Sequence, residues 1–192
     1  MFLLARPTER QIDTFVQRQQ RSTFSYAEVG ASGDGSVPTG FMADHNRVRL
    51  GTGSADWERA KAAIRGWKMF DFSWLELCWP STPIREGENV AIAVSHFLFW
   101  SLNASRIVYV IEEDRRFGFA YGTLREHGES GEERFLVEWN AADDSVSYDL
   151  FAFSRPNALP AKLGRPLARN LQKRFARDSM KAMVEAVGEA PV

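Results

Sequence analysis

The sequence predicts an α+β fold in which a curved antiparallel sheet of seven strands wraps around one long C-terminal helix, with an extra N-terminal helix and strand ahead of it. Three observations carry this expectation. Strand-like segments follow one another from Phe72 to Ser154, and their short connections make them antiparallel neighbours. A strand leading into an amphipathic helix comes before them. After them, one helix presents a broad apolar face that must lie on something apolar, and the inner face of the strands is the surface on offer. A chain of 192 residues, 44% hydrophobic and 26% charged, has the composition of an ordinary globular protein. We read residues 1–22 as a helical extension, 23–188 as a single domain and 189–192 as a tail.

Each element has a local reason. Thr8 followed by Gln11 makes a capping box, so a helix starts there and carries Ile12, Phe15 and Val16 as a narrow apolar stripe. Thr23 to Val29 alternates as a strand, and a loop rich in Gly, Ser and Pro runs from Gly30 to Gly40. Asn46 to Leu50 reads as a strand ending at Gly51-Thr52-Gly53; Ser54 then caps a helix with Trp57, Ala60, Ile64 and Trp67 at helical spacing. A short helical turn follows near Met69. Later strands are expected at Phe72 to Trp79, Asn89 to Trp100, Ser105 to Glu113, Arg116 to Leu124, Glu132 to Trp139 and Ser145 to Ser154. The last helix enters at Pro166 and runs to about Val187. Leu167, Leu171, Phe175, Met183 and Val187 form its apolar face, opposite Arg169, Lys173, Arg177 and Lys181.

The segment around Gly118 is the most informative. Gly118, Ala120 and Gly122 share one face of a strand, while Phe117, Phe119 and Tyr121 share the other. A strand bare on one side lets a helix, a ligand or another backbone come unusually close. Charge is segregated despite a net value of -1: residues 126–144 hold seven acids against Arg134, and residues 162–181 hold seven bases against Asp178. These read as two solvated faces in weak mutual attraction.

A family resemblance covers about Phe24 to Val187. Phe24-Ser-Tyr26, Val29-Gly30-Ala31, Pro38-Thr-Gly40-Phe41, Leu50-Gly51-Thr-Gly53, Trp67, Phe117 to Leu124, His127, Gly131-Glu-Glu133, Phe135, Phe153-Ser-Arg-Pro156, Pro166 and Gln172 resemble the recurring pattern of domain-of-unknown-function family nineteen-ninety, an uncharacterised protein family of bacteria and plants. The order of elements resembles the helix-grip fold of the START and birch-pollen-allergen superfamily. The resemblance implies that fold; it implies no established reaction, substrate or catalytic residue.

The usual enzyme templates are missing. There is no GxSxG elbow, no Gly-rich phosphate loop and no cysteine-based zinc pattern. His45, His96 and His127 lie on separate segments without metal-ligand spacing, so neither a metal nor another cofactor is expected. His96 reads as a half-buried strand histidine or as a group that orients a ligand. His127 sits in a polar loop near Glu132 and Glu133, where a carboxylate can orient an imidazole for proton transfer or the loop can simply satisfy its own backbone. Glu76, inside an apolar strand, is either a paired carboxylate that reads a polar ligand group or an ordinary outward residue. Arg155, at the exit of the last strand, either clamps an anionic head group or joins a structural ion pair. Cys78 lies among apolar neighbours as a small buried hydrophobe.

The expected function is the binding of a small apolar or amphipathic molecule between sheet and terminal helix. Phe119, Tyr121, Phe135 and Phe153 are lining candidates, as are Phe117 and Phe151, and Glu76, His96 and Arg155 would meet the polar end. The alternative is a hydrolase- or cyclase-type enzyme using His127 with Glu132 or Glu133 as acid and base. A weaker third reading is a protein partner bound on the aromatic strands, with the oligomeric state open. Neither a nucleic-acid partner nor an integral membrane segment is expected, and the opening Met1 to Arg6 is too short an apolar run for a signal peptide, which makes the cytoplasm the expected compartment.

Overall fold

The computed structural model describes residues 1–96, 98–157 and 165–188. Its strands are β1 Phe2–Leu3, β2 Met42–Thr52, β3 Leu75–Leu77, β4 Asn89–His96, β5 Phe99–Glu113, β6 Arg116–Thr123, β7 Glu129–Trp139 and β8 Ser145–Pro156. The helices are α1 Glu9–Gln19, α2 Gly53–Arg65 and α3 Arg165–Gly188, with single 3₁₀ turns at Ala31–Gly33 and Lys68–Phe70. Seven strands pair antiparallel in the order β2-β8-β7-β6-β5-β4-β3, and β1 pairs with the start of β5 off that path. The expected α+β architecture is the observed one: the sheet curls around α2 and α3.

Several local expectations give way to tertiary contacts. Thr23 to Val29 is not a strand; its strand-like pairing with the sheet is the isolated bridge Phe24 to Leu124. The expected strand at Phe72 to Trp79 shrinks to Leu75–Leu77. Ser101 to Ala104, which resembles a turn because it holds Ser and Asn, lies inside β5: Leu102 and Ala104 are buried under α1, and the Leu102 N–H donates to the Met1 carbonyl at 2.8 Å. Ser54 does not cap α2. The strand β2 runs straight into the helix at Thr52, and Asp56 reaches back to accept the Thr52 N–H at 2.7 Å. The Thr8–Gln11 capping box of α1 is present as expected.

Alternation assigns the two sheet faces. The concave face carries Val90, Ile92, Ile107, Phe117, Phe119, Phe135, Val137, Tyr148 and Leu150, which form the main core with Trp57, Ile64, Trp67, Phe70, Met183 and Val187. On the convex face, α1 seats Ile12 and Phe15 on Ala93, Leu102, Ala104 and Leu124. The segment from Phe24 to Phe41 covers Phe151 and Phe153 on the same side.

The bare face of β6 is therefore convex, and what approaches it is this chain. A Cβ at Gly122 would stand 2.1 Å from the Tyr26 hydroxyl, and one at Gly118 would stand 2.0 Å from the Phe135 carbonyl oxygen. The neighbouring backbone cannot yield as a side-chain tip can. Gly118→Ala is thus expected to cost about 1–3 kcal/mol, the range for overpacking, whereas Gly128→Ala, whose Cβ would meet nothing within 4 Å, serves as the neutral control. Urea unfolding of the two variants checks this, and equal midpoints would contradict the packing account.

The acidic run does not form a solvated face. On a strand its members alternate, so Glu132 and Glu138 turn to the convex side while Glu133 turns inward. Among the described residues no ion pair joins this run to the basic side of α3; Arg18 takes Glu126, and Arg47 and Arg116 share Glu138. No described helix is long and apolar enough to cross a membrane.

Candidate functional site

Large and small side chains divide the concave face into two halves. Toward α2 it is filled by Phe119, Phe135, Val137 and Tyr148. Toward the opposite end it carries Ser101, Asn103, Thr123, Gly131, Ala152 and Ser154, too small to reach the helix that spans the sheet. A cavity of about 330 Å³ remains there, walled on its apolar side by Trp74, Leu75, Ile92, Val94, Leu171 and Phe175. Close packing elsewhere makes such a gap conspicuous, and its size falls at the lower end of small-molecule sites.

One row of the sheet places the polar groups. Asp44 on β2 pairs with Ala152 on β8, Ala152 with Glu133 on β7, and Glu133 with Tyr121 on β6. Asp44 and Glu133 are thus two strands apart, roughly 9–10 Å in the pairing direction, with only a methyl group between them. The Tyr121 hydroxyl donates to Glu133 Oε2 at 2.8 Å. Burial pushes the Glu133 carboxyl up to about 7; the Tyr121 hydrogen bond opposes this and the Asp44 charge adds to it. Asp44 is ion-paired to Arg169 of α3.

The cavity's outer end is a second polar group. Gln172 of α3 donates from Nε2 to Ser154 Oγ at 2.9 Å and to Glu129 Oε2 at 3.3 Å. Burial raises the Glu129 carboxyl, and a hydrogen bond with Ser154 opposes the rise. His127 Nδ1 accepts the Glu129 N–H at 3.0 Å, and burial lowers the ring to about 4, so the imidazole is neutral with its proton on Nε2. His96 Nε2 meets Ser101 Oγ at 2.9 Å, its ring stacks on Phe99 at 4.4 Å, and burial lowers its pKa as well.

The residues singled out from the sequence fall in three places. His96, Tyr121, His127 and Glu133 line the cavity. Phe119 and Phe135 share that face but are fully buried in the packed half, stacked on each other at 5.1 Å. The rest belong to the convex side. Glu76 pairs with Ala93, which turns it outward to an ion pair with Arg6 at 2.6 Å. Phe153 and Glu132 border the cavity through β7 and β8, but the Phe153 ring packs edge-on against Tyr26 and Phe41. The Glu132 carboxylate receives the Tyr26 hydroxyl at 2.5 Å, the N–H groups of Gly30 and Ser32 at 2.8 and 3.0 Å, and the Ser32 hydroxyl. Arg155 lies over the Phe41 ring at 4.3 Å. Adjacent strand residues point oppositely, so Glu132 and Glu133 had to part. The residues that sequence reasoning missed are Asp44, Glu129 and Gln172. For Glu129 a signal existed: it stands two alternations before Glu133, on the same face of β7.

Among the described residues no three His, Cys, Asp or Glu groups converge as a metal site. Residues 25–182 match the family model described as "Domain of unknown function (DUF1990)". The chain belongs to the DUF1990 family. The DUF1990 chain is 43% identical over 199 residues to a UPF0548 protein of Deinococcus radiodurans, covering 98% of this chain and all (100%) of that one. A UPF0548 protein of Dictyostelium discoideum is 33% identical over 208 residues, covering 98% and 96%. Among solved structures, an uncharacterised protein from Bacillus thuringiensis superposes with TM-score 0.53 at 16% identity over 77% of this chain and 100% of its own. The Zhui aromatase/cyclase from Streptomyces superposes with TM-score 0.50 at 14% identity over 77% and 94%. At such identities the likeness is one of fold, and the DUF1990 chain has the helix-grip fold.

Proposed function

We propose that this protein binds a small amphipathic molecule in the cavity between the sheet and α3. The observation that carries the reading is the division of one cavity into an apolar wall, Trp74, Ile92, Val94 and Phe175, and a polar floor, Glu133, Tyr121, Ser154 and Thr123. A ligand with an apolar body and one polar end satisfies both sides at once, whereas water satisfies only the floor. Ala152→Phe tests it by filling the gap between Asp44 and Glu133. The expected result is at least a tenfold loss of ligand uptake, as a clash removes most of the contact area, with the native circular dichroism retained. Native mass spectrometry of protein purified from its own cells, followed by release and identification of what it carries, is the measurement. An Ala152→Phe protein that retains the same small molecule would count against the cavity as the site.

A second reading has one observation in its favour. Glu133, near neutrality and hydrogen-bonded to Tyr121, is poised to give or take a proton at pH 7, with neutral His127 on the same cavity. In that case the molecule is turned over by acid–base chemistry of hydrolase or cyclase type through Glu133 and His127. Glu132 has no part in it, because its carboxylate is spent on the convex loop. Recovery of an unchanged, stoichiometric ligand favours binding; a product released with a pH profile set near 7 favours the enzyme.

A further inference from the structure

The walls of the cavity carry a charge preference, and it rests on the binding reading above. We infer that the polar end of the ligand is a protonated amine, seated against the free oxygen of Glu133 beside Tyr121. Three carboxylates border the cavity with their acid groups on its side, Asp44, Glu129 and Glu133, and no Lys or Arg does so among the described residues. Arg169 of α3 is committed to Asp44. Burial disfavours the charged form of both cavity histidines, and it lowers His127 to about 4. Among the described residues Tyr121 is the donor to Glu133, and it reaches one oxygen only. A carboxylate ligand entering here meets like charge on a desolvated wall; an ammonium finds an acceptor.

The groups facing Glu133 are Asp44 with Arg169 from β2 and α3, Tyr121 from β6, and Tyr148 from β8, whose own hydroxyl is held protonated by burial and by the Glu133 charge. Burial raises the Tyr121 and Tyr148 hydroxyls well above their ordinary value, so neither competes with Glu133 for a proton. An alkylammonium resembles the lysine side chain and stays charged to about pH 10. Seating it on Glu133 favours the ionised carboxylate, so binding near pH 6 must expel a proton, and affinity must climb as pH rises toward 8.

The probes are octylamine, octanol and octanoate, which share an apolar body and differ in the head. They are titrated by calorimetry into the full-length protein and into Glu133→Gln and Ala152→Phe, at pH 6 and 8 and in two buffers of different ionisation enthalpy. Expected for the wild type is octylamine binding about tenfold to a hundredfold tighter than octanol, the worth of one charge-assisted hydrogen bond, with octanoate weakest and up to one proton released at pH 6. In Glu133→Gln the amine falls to the level of the alcohol and the proton release disappears. Equal affinities for the three heads, or an amine preference that survives Glu133→Gln, would overturn the inference and leave the cavity reading standing, provided Ala152→Phe abolishes uptake. No binding of any probe to the wild type would overturn both.

Discussion

Glu132→Ala is expected to cost about 3 kcal/mol or more and to release the convex segment from Tyr26 to Ser32. Glu132 is 2% exposed, and its carboxylate accepts from two hydroxyls and two backbone N–H groups. Removing it strands those donors away from water, and each unpaired buried group costs about 1–3 kcal/mol. Arg134 also holds the loop, donating from Nη1 to the Ser32 carbonyl at 2.8 Å. Glu132→Gln is expected to recover little, since an amide nitrogen would face N–H donors. Urea unfolding and amide hydrogen exchange at Gly30 and Ser32 are the measurements; a loss below about 1 kcal/mol with unchanged exchange would show that the loop is held elsewhere. The family-like residues Phe24 to Ala31 and Gly131 to Glu133 meet at this one carboxylate. Loss of ligand uptake in a Glu132 variant is therefore to be read as loss of structure, not of chemistry.

Glu133→Gln is expected to do the opposite, stabilising the protein above pH 7. The Glu133 carboxyl titrates near 7 in the folded chain against 4.5 for an ordinary glutamate, because folding buries it beside Asp44. A raised carboxyl pKa favours the folded state while the group is protonated. That contribution is fully present below about pH 4.5 and is lost progressively as pH rises through 7. The gap corresponds to roughly 2–3 kcal/mol, allowing for partial access from the cavity. The glutamine has nothing to ionise and keeps an acceptor for Tyr121. Its Tm advantage over the wild type should therefore approach about 5–10 °C at pH 8 and shrink toward zero near pH 5. Asp149 and Asp178, which are common to both proteins and take their shifts from other partners, cancel in the difference. An advantage that is the same at both pH values would mean that packing, not ionisation, explains it. A residue that lowers stability at neutral pH and sits on a cavity wall is the kind of group function retains.

Much of the architecture was legible in the chain. Thr8 with Gln11 marks α1, the spacing of Trp57, Ala60 and Ile64 marks α2, and Gly118, Ala120 and Gly122 against Phe119 and Tyr121 declare a strand with two unequal faces. Those signals are local, set by hydrogen bonding within a turn and by periods of 3.6 and 2. Where a segment's state depended on distant partners, local patterns misled. Ser101-Leu-Asn-Ala104 looks like a turn and is a strand because β4 and the first residues of the chain pair with it. Thr23 to Val29 alternates like a strand and is a cover, because Gly122 leaves room for Tyr26.

The candidate site was legible by half. Tyr121 and His96 were found because aromatic or polar residues in apolar strands stand out, and His127 with Glu133 because an imidazole in a polar loop lies close in sequence to carboxylates, whereas Asp44, Glu129 and Gln172 come from three separate elements that only the curled sheet and α3 bring together. What the sequence by itself determined is the order of the main elements, the alternation within each strand, and the family. Only the tertiary structure decided which face of each strand turns inward, because period 2 distinguishes two faces without naming either. A register shifted by one residue would exchange Glu132 with Glu133, and the pairing of Ala152 with both Asp44 and Glu133 is what leaves a cavity with an acid on each side of a methyl group.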